Sequence, residues 1–258
     1  MNRLQSEWRR LYLADDTPDP DAADASAGLI ARDGGVRALV LELARPADWN
    51  TLAPLWQGVQ LDLELPAPAI AVNGRDGYQL WFSLAQAVPA QRARDFLAAL
   101  ARRYLPGITA ARLTLLPVAD AGGQLRHAIP VPREQAEGHW SALLAPDLAP
   151  MFIEEPWLDL PPSPDGQADR LARLACITPT DFAQALERLG PAAPSAVPPP
   201  LPAPTEARTS REAASADAAS TPAGHEPDPR RFLLGIMNDA HVALELRIEA
   251  AKALLPYR

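Results

Sequence analysis

Carboxylates separated by one residue on a β-strand project from the same face, a spacing that lets a pair of acids hold divalent cations against a phosphate. The sequence offers one such pair, Asp62 and Glu64 in LDLEL, and one isolated acid, Glu42, within the apolar run RALVLELA at residues 37 to 44. Further on, GRDGYQLWFSL at residues 74 to 84 places Gln79 in an aromatic strand, and an amide neither titrates nor carries positive charge. The other reactive groups are scattered. His127 and His139 read as surface or structural histidines, and Cys176 reads as a core residue on an apolar helix face. One cysteine excludes an internal disulfide, fits a reducing cytoplasm, and with four histidines gives no Cys/His metal cluster. The acids also have plainer readings. Glu42 on an apolar strand is more often an edge or surface residue than a ligand, and Asp62 and Glu64, ahead of Pro-Ala-Pro, fit the solvated face of a short strand.

The periodicity around these residues supplies the elements that must position them. Leu39, Leu41 and Leu43 alternate with Val40, Glu42 and Ala44, which predicts a strand in the sheet interior. ADWNTLAPLWQGV, residues 47 to 59, suits a helix that begins near Asp48 and turns Leu52, Leu55 and Trp56 to the sheet. After the turn NGRDG, Tyr78, Leu80, Phe82 and Leu84 face one way and Gln79, Trp81 and Ser83 the other. From Pro89, a suitable first helical residue, Phe96, Leu97, Leu100 and Tyr104 form an apolar stripe flanked by Arg92, Arg94, Arg102 and Arg103. Such arginines are usually a solvated helix face; they are also the best candidates for contacting phosphates. RLTLLPV, residues 112 to 118, predicts a third strand, and GGQLRHAIPV a Gly-Gly turn with a short return strand. Residues 133 to 165 read as irregular and Pro-rich, anchored by Trp140, Phe152 and Trp157. TPTDFAQALERLG carries a full set of helix signals, with Thr178 as cap, Pro179 at the first position, Asp181 behind it and Gly190 as terminator. At the start of the chain, Leu4, Trp8, Leu11 and Tyr12 have the spacing of a short amphipathic helix over residues 2 to 13.

Charge and composition divide the chain further. The net charge of −8 is carried by two segments, −5 from the acidic residues 14 to 28 and −3 from residues 191 to 229, so the remainder sums to zero. A basic face on the folded part is neither indicated nor excluded. Twenty-nine prolines are too many for one compact domain, and residues 191 to 229, without an aromatic residue, read as a disordered tether. Residues 230 to 258 then read as a C-terminal helical hairpin too small to be stable alone. The expected organisation is an N-terminal helix and acidic loop (1 to 28), an α/β domain (29 to 190), a linker (191 to 229) and the hairpin (230 to 258). The N-terminus has no apolar leader core and the chain no run of about 18 apolar residues, so a cytoplasmic protein without a membrane partner is expected.

The order strand (LVLELA), helix, turn and aromatic strand (NGRDGYQLWFSL), helix, strand (RLTLLPV) resembles the archaeo-eukaryotic primase superfamily, above all its plasmid- and phage-borne replication primases, over residues 29 to 130. In that family the first strand ends in a hydrophobic-Asp-hydrophobic-Asp pair, and a Ser-Gly-x-Gly-Tyr-His-Leu-Tyr-Trp type strand follows. The acids hold two divalent metals that align the attacking hydroxyl with the α-phosphate, and the His helps to hold the triphosphate. The matching positions are Glu42 and Ala44 for the acids, Gln79 for the His, and Leu115 with Pro117 where an Arg-Leu-Pro-Gly-like turn would lie. One acid of the pair is thus a methyl group and the His an amide.

The resemblance therefore implies an α+β fold of two α/β layers, a primase-like sheet with packing helices, in a chain that has lost nucleotidyl transfer and binds no cofactor. It implies a nucleic-acid-associated binding or adaptor protein of a bacterial mobile element or DNA-replication setting. Two alternatives stand beside it. One is an active nucleotidyltransferase with Mg2+ held by a rearranged acid set of Glu42, Asp62 and Glu64; the other is a protein-binding module with no nucleic-acid role. The tail RRFLLGIMNDAHVALELRIEAAKALLPYR resembles a helical segment of phage small-terminase proteins, which implies Arg247 and Lys252 as contacts for DNA, RNA or a protein partner.

Overall fold

The computed structural model describes residues 2–14, 27–120 and 122–190. The expected linker, the C-terminal helical hairpin with Arg247 and Lys252, and most of the acidic loop lie outside the described residues.

Asn2 opens helix α1 (Arg3–Tyr12) with a capping box: its side chain accepts from Gln5 N at 2.8 Å, and Gln5 Oε1 accepts from Asn2 N at 2.9 Å. Strand β1 (Gly35–Ala44) follows, then α2 (Trp49–Leu61), capped by Asp48, whose carboxylate accepts from Thr51 N at 3.0 Å. Next come β2 (Ala69–Val72), β3 (Gly77–Pro89), α3 (Ala90–Tyr104) and β4 (Leu113–Leu116). The antiparallel order β4-β1-β3-β2 with this connectivity is the split βαβ arrangement. After a small separate hairpin, β5 (Val118–Ala119) and β6 (Leu125–Arg126), the chain adds β7 (Arg133–Ala136) and β8 (His139–Leu144) to the main sheet beyond β2. Helices α4 (Pro164–Ala172) and α5 (Pro179–Leu189) complete the described elements.

Strand alternation divides the core. Leu39, Leu41, Leu43, Tyr78, Leu80 and Phe82 pack against Leu52 and Leu55 of α2, Phe96, Leu97 and Leu100 of α3, and Phe182 of α5. On the other face Ala38, Val40 and Trp81 meet Trp8, Leu11 and Tyr12 of α1 and Leu171 of α4. Trp81 stands edge-on to Trp8 at 5.0 Å and to Tyr12 at 5.6 Å. Each large apolar side chain so buried contributes about 1.5–3 kcal/mol. The fold is α+β as expected, but with helices on both faces of the sheet it has three layers where two were expected, because both faces of β1 and β3 are apolar.

Arg37 of β1 fastens α1 to the sheet. Its Nε donates to the Leu84 carbonyl at 2.8 Å, Nη1 to the Leu13 carbonyl at 2.7 Å and Nη2 to the Arg10 carbonyl at 2.9 Å. Arg10 in turn donates to the carbonyls of Leu171 and Leu174, at 2.8 and 3.1 Å, joining the end of α4 to the same layer. Where β8 outlasts β7, Gln167 of α4 engages Leu143, accepting from its N–H at 2.7 Å and donating to its carbonyl at 3.1 Å.

Several local expectations change. Pro89 ends β3 and caps α3 instead of occupying its first turn. Residues 133 to 165 contain the β7–β8 hairpin and the start of α4; from Ser141 to Leu144 every residue of β8 is buried, so the strand lacks the polar alternation that identifies a half-exposed one. Asp62 is the C-cap of α2 and Glu64 lies in the following loop at φ +57°, so LDLEL is not a strand. Cys176 lies between α4 and α5, half-buried, its thiol near the Arg10 carbonyl at 3.9 Å and Arg37 Nη2 at 3.7 Å. Among the described residues no helix is long and apolar enough to cross a membrane.

The β2–β3 turn is built on Asn73, whose Oδ1 accepts from the N–H groups of Arg75 and Asp76 at 2.9 Å and of Gly77 at 3.0 Å. Gly77 then passes β1 so closely that a Cβ would lie 2.6 Å from the Leu43 carbonyl oxygen and 2.7 Å from the Ala44 Cβ. Backbone on an interior strand cannot yield as a side chain can. Gly77→Ala is expected to cost about 2–3 kcal/mol in urea unfolding, the range of an overpacked core; a loss under about 0.5 kcal/mol would show that β1 and β3 separate freely there.

Candidate functional site

Glu42 and Gln79 are direct partners in the β1–β3 ladder, and both project to the face that carries Val40 and Trp81. Gln79, 6 % exposed, donates from Nε2 to Glu42 Oε2 at 2.6 Å. Its Oε1 accepts from Trp81 Nε1 at 2.9 Å. An indole nitrogen can only donate, so the amide must turn its oxygen to Trp81 and its NH2 to Glu42. The result is a fixed relay, Trp81 to Gln79 to Glu42, in which each buried polar atom finds a partner. Ala71 lies opposite Gln79 on β2, and Thr114, opposite Glu42 on β4, borders an open space. The space is a cleft of about 260 Å³, with Thr114, Leu116 and Ala128 in its wall and Arg45, Arg75 and Asp76 from the flanking turns.

Burial pushes the Glu42 carboxyl above its ordinary pKa, against the hydrogen bonds from Gln79 and Asn73 that favour the ionised form; Asp76 raises it further and Arg45 lowers it. Ala44 projects to the same face as Glu42 and supplies only a methyl group. Glu42 is not at an edge, since β1 lies between β3 and β4, and it is half-buried in the wall of the cleft.

The other acids do not join it. Asp62 accepts from the Tyr104 hydroxyl at 3.0 Å and lies 3.5 Å from Arg103, while Glu64 is bound by Arg188 at 2.6 Å. These partners belong to α3 and α5, on the opposite side of the sheet from Glu42. Among the described residues no three His, Cys, Asp or Glu side chains form a group that could hold a metal ion.

The α3 arginines also stand on that far side. Arg92 lies 5.6 Å over the Phe182 ring and Arg103 5.3 Å over the Tyr104 ring, with Arg103 Nη1 donating to the Arg188 carbonyl at 3.3 Å. Part of the stripe thus fastens α5 and α2, and Arg94 and Arg102 sit half-buried and exposed beside it. Of the matched positions, Leu115 on β4 turns to the helical layer, and Pro117 follows by a cis bond from Leu116, which faces the cleft.

Sequence reasoning left Arg45, Asn73, Arg75, Asp76 and Gln135 out of the site. Only Asn73 had a local signal, the Asn-Gly pair of its turn; the rest meet through the register of β1, β2 and β7. His127 is structural: Nδ1 accepts from Ala128 N at 2.8 Å, which leaves Nε2 to donate to the Ala38 carbonyl at 3.0 Å, and burial pushes its pKa down to about 4. His139 stacks on Trp157 at 4.3 Å. No protein-family model matches the chain, and no curated protein matches it.

The raised pKa of Glu42 has a definite sign. Its contribution to stability is complete below the unfolded-state value and is lost as pH rises through the folded-state value. His127 acts in reverse, its contribution being lost as pH falls from the unfolded value towards about 4. Comparing Glu42→Gln with the parent cancels the histidine. The Gln variant is expected to match or exceed the parent in urea stability at pH 8, with the gap closing towards pH 4, whereas Glu42→Ala loses about 1–3 kcal/mol because Gln79 Nε2 has no acceptor. A Gln variant that is relatively weakest at pH 8 would contradict this.

Proposed function

We propose that the chain is a non-catalytic, primase-like binding protein that works in association with nucleic acid, in a DNA-replication or mobile-element setting. The observation that carries this reading is the hydrogen bond from Gln79 to Glu42. The two positions that the resemblance assigns to catalysis lie side by side on β1 and β3, yet the carboxylate is engaged by an amide, and Ala44 stands where a second acid would be. Two-metal transfer needs ionised acids that converge on both cations. Glu42 alone cannot supply that.

The same cleft suits recognition. It presents Thr114 and Gln135 beside two guanidiniums, Arg45 and Arg75, which are exposed and suited to backbone phosphates. Arg94 and Arg102 on α3 are the second candidate surface. Arg247 and Lys252 complete the contacts that the sequence implies.

The test combines activity with binding on the full chain. With Mg2+ or Mn2+ no nucleotide incorporation is expected, while single-stranded DNA binding should weaken between about 50 and 200 mM salt, by a log-log slope of about −0.7 for each phosphate neutralised. Replacing Arg45 and Arg75 by Glu is expected to reduce that slope if the cleft is the contact, and replacing Arg94 and Arg102 if α3 is. Incorporation that disappears in Glu42→Ala would overturn the non-catalytic reading. A slope near zero would remove nucleic acid and leave a protein-binding module.

A further inference from the structure

A second cavity, of about 400 Å³, opens where β2 begins and β8 ends, and shares no lining residue with the Glu42 cleft. Its walls are apolar on the sheet side, from Ile70, Leu143 and Leu144, and are continued by Leu171 and Leu174 at the end of α4. Trp56 closes one side, held there by the bond from its Nε1 to the Pro68 carbonyl at 3.0 Å. This is the size and lining of a small-molecule site.

The polar part of the wall is cationic. Asp169 is bound by Arg3 at 2.6 Å, and both amide atoms of Gln167, beneath the same helix, are used on Leu143. Arg170 and Arg173 remain, and Arg170 Nε is buried without a hydrogen-bond partner. Two guanidiniums on one wall favour an anionic oxygen, their strongest acceptor. A water or an inorganic ion would engage that charge and leave the apolar walls without a partner.

We propose that this cavity binds a compact organic anion, a phosphate or carboxylate on an apolar or aromatic body, with Arg170 and Arg173 on the anion and the body against Ile70, Leu144 and Trp56. The charge fixes the orientation and the walls supply the rest of the affinity. An inorganic ion would reach only the arginines, and a neutral aromatic only the walls.

The experiment titrates the full chain with phenyl phosphate, benzoate, inorganic phosphate and benzyl alcohol, followed by calorimetry or by NMR shifts. At least one of the two aromatic anions is expected to bind about tenfold or more tighter than both inorganic phosphate and benzyl alcohol; which of the two is tighter identifies phosphate or carboxylate as the natural head group. Arg173→Gln, at an exposed position, should weaken that binding about tenfold with an unchanged thermal midpoint. Arg170→Gln should do the same or more, its midpoint recorded alongside. The proposal falls if neither aromatic anion binds by about 10 mM, if all four compounds bind alike, or if Arg173→Gln binds as the parent does.

Discussion

A carboxyl group in the middle of a β-ladder has to be answered from within the protein, and Gln79 answers Glu42. The cost of leaving either alone is large, because a buried donor or acceptor without a partner loses its hydration and gains nothing in exchange. Trp81 completes the arrangement by fixing which end of the amide faces the acid. Since Trp81 also carries α1 through Trp8 and Tyr12, the polar relay and the packing of that helix share one residue. A one-residue slip between β1 and β3 would break both at once, as it would turn Glu42 and Gln79 to opposite faces.

The layer over this face is held by charge as well as by packing. Arg37 and Arg10 make hydrogen bonds to five carbonyl oxygens, of Leu84, Leu13, Arg10, Leu171 and Leu174. They add donors to carbonyl groups at the close of α1 and of α4. Arginine suits this work because its planar fork reaches several acceptors without changing protonation. The cleft and the second cavity fall near opposite ends of β2, one by the Asn73 turn and one by Ala69, and α4 lines the second.

What could be read from the sequence was local. The alternation of Leu39 to Leu43 and of Tyr78 to Leu84 gave strand faces correctly, and the Thr178, Pro179 and Gly190 signals gave α5 with its cap and terminator. Glu42 and Gln79 could be singled out as a pair, and their facing position follows from those faces. The missed elements lacked local signals. β8 is buried on both sides in its second half, and the Ser141 hydroxyl, which bonds the Arg133 backbone in both directions at 2.9 Å, reads in sequence as an ordinary loop serine. Arg45, Arg75 and Gln135 enter the cleft from three separate turns and strands, so only tertiary register brings them together. Cys176 was misplaced because the apolar spacing around it continues past the end of α4.

Gln167 has an effect beyond its own two hydrogen bonds. A strand that runs on after its neighbour stops exposes a bare N–H and C=O, which is the template on which a foreign strand can add and aggregation can begin. Here one side-chain amide imitates the missing neighbour at Leu143 and closes that template. That stretch of β8 is thereby closed by a helix residue, without a further strand, while β7 remains the outer strand of the sheet.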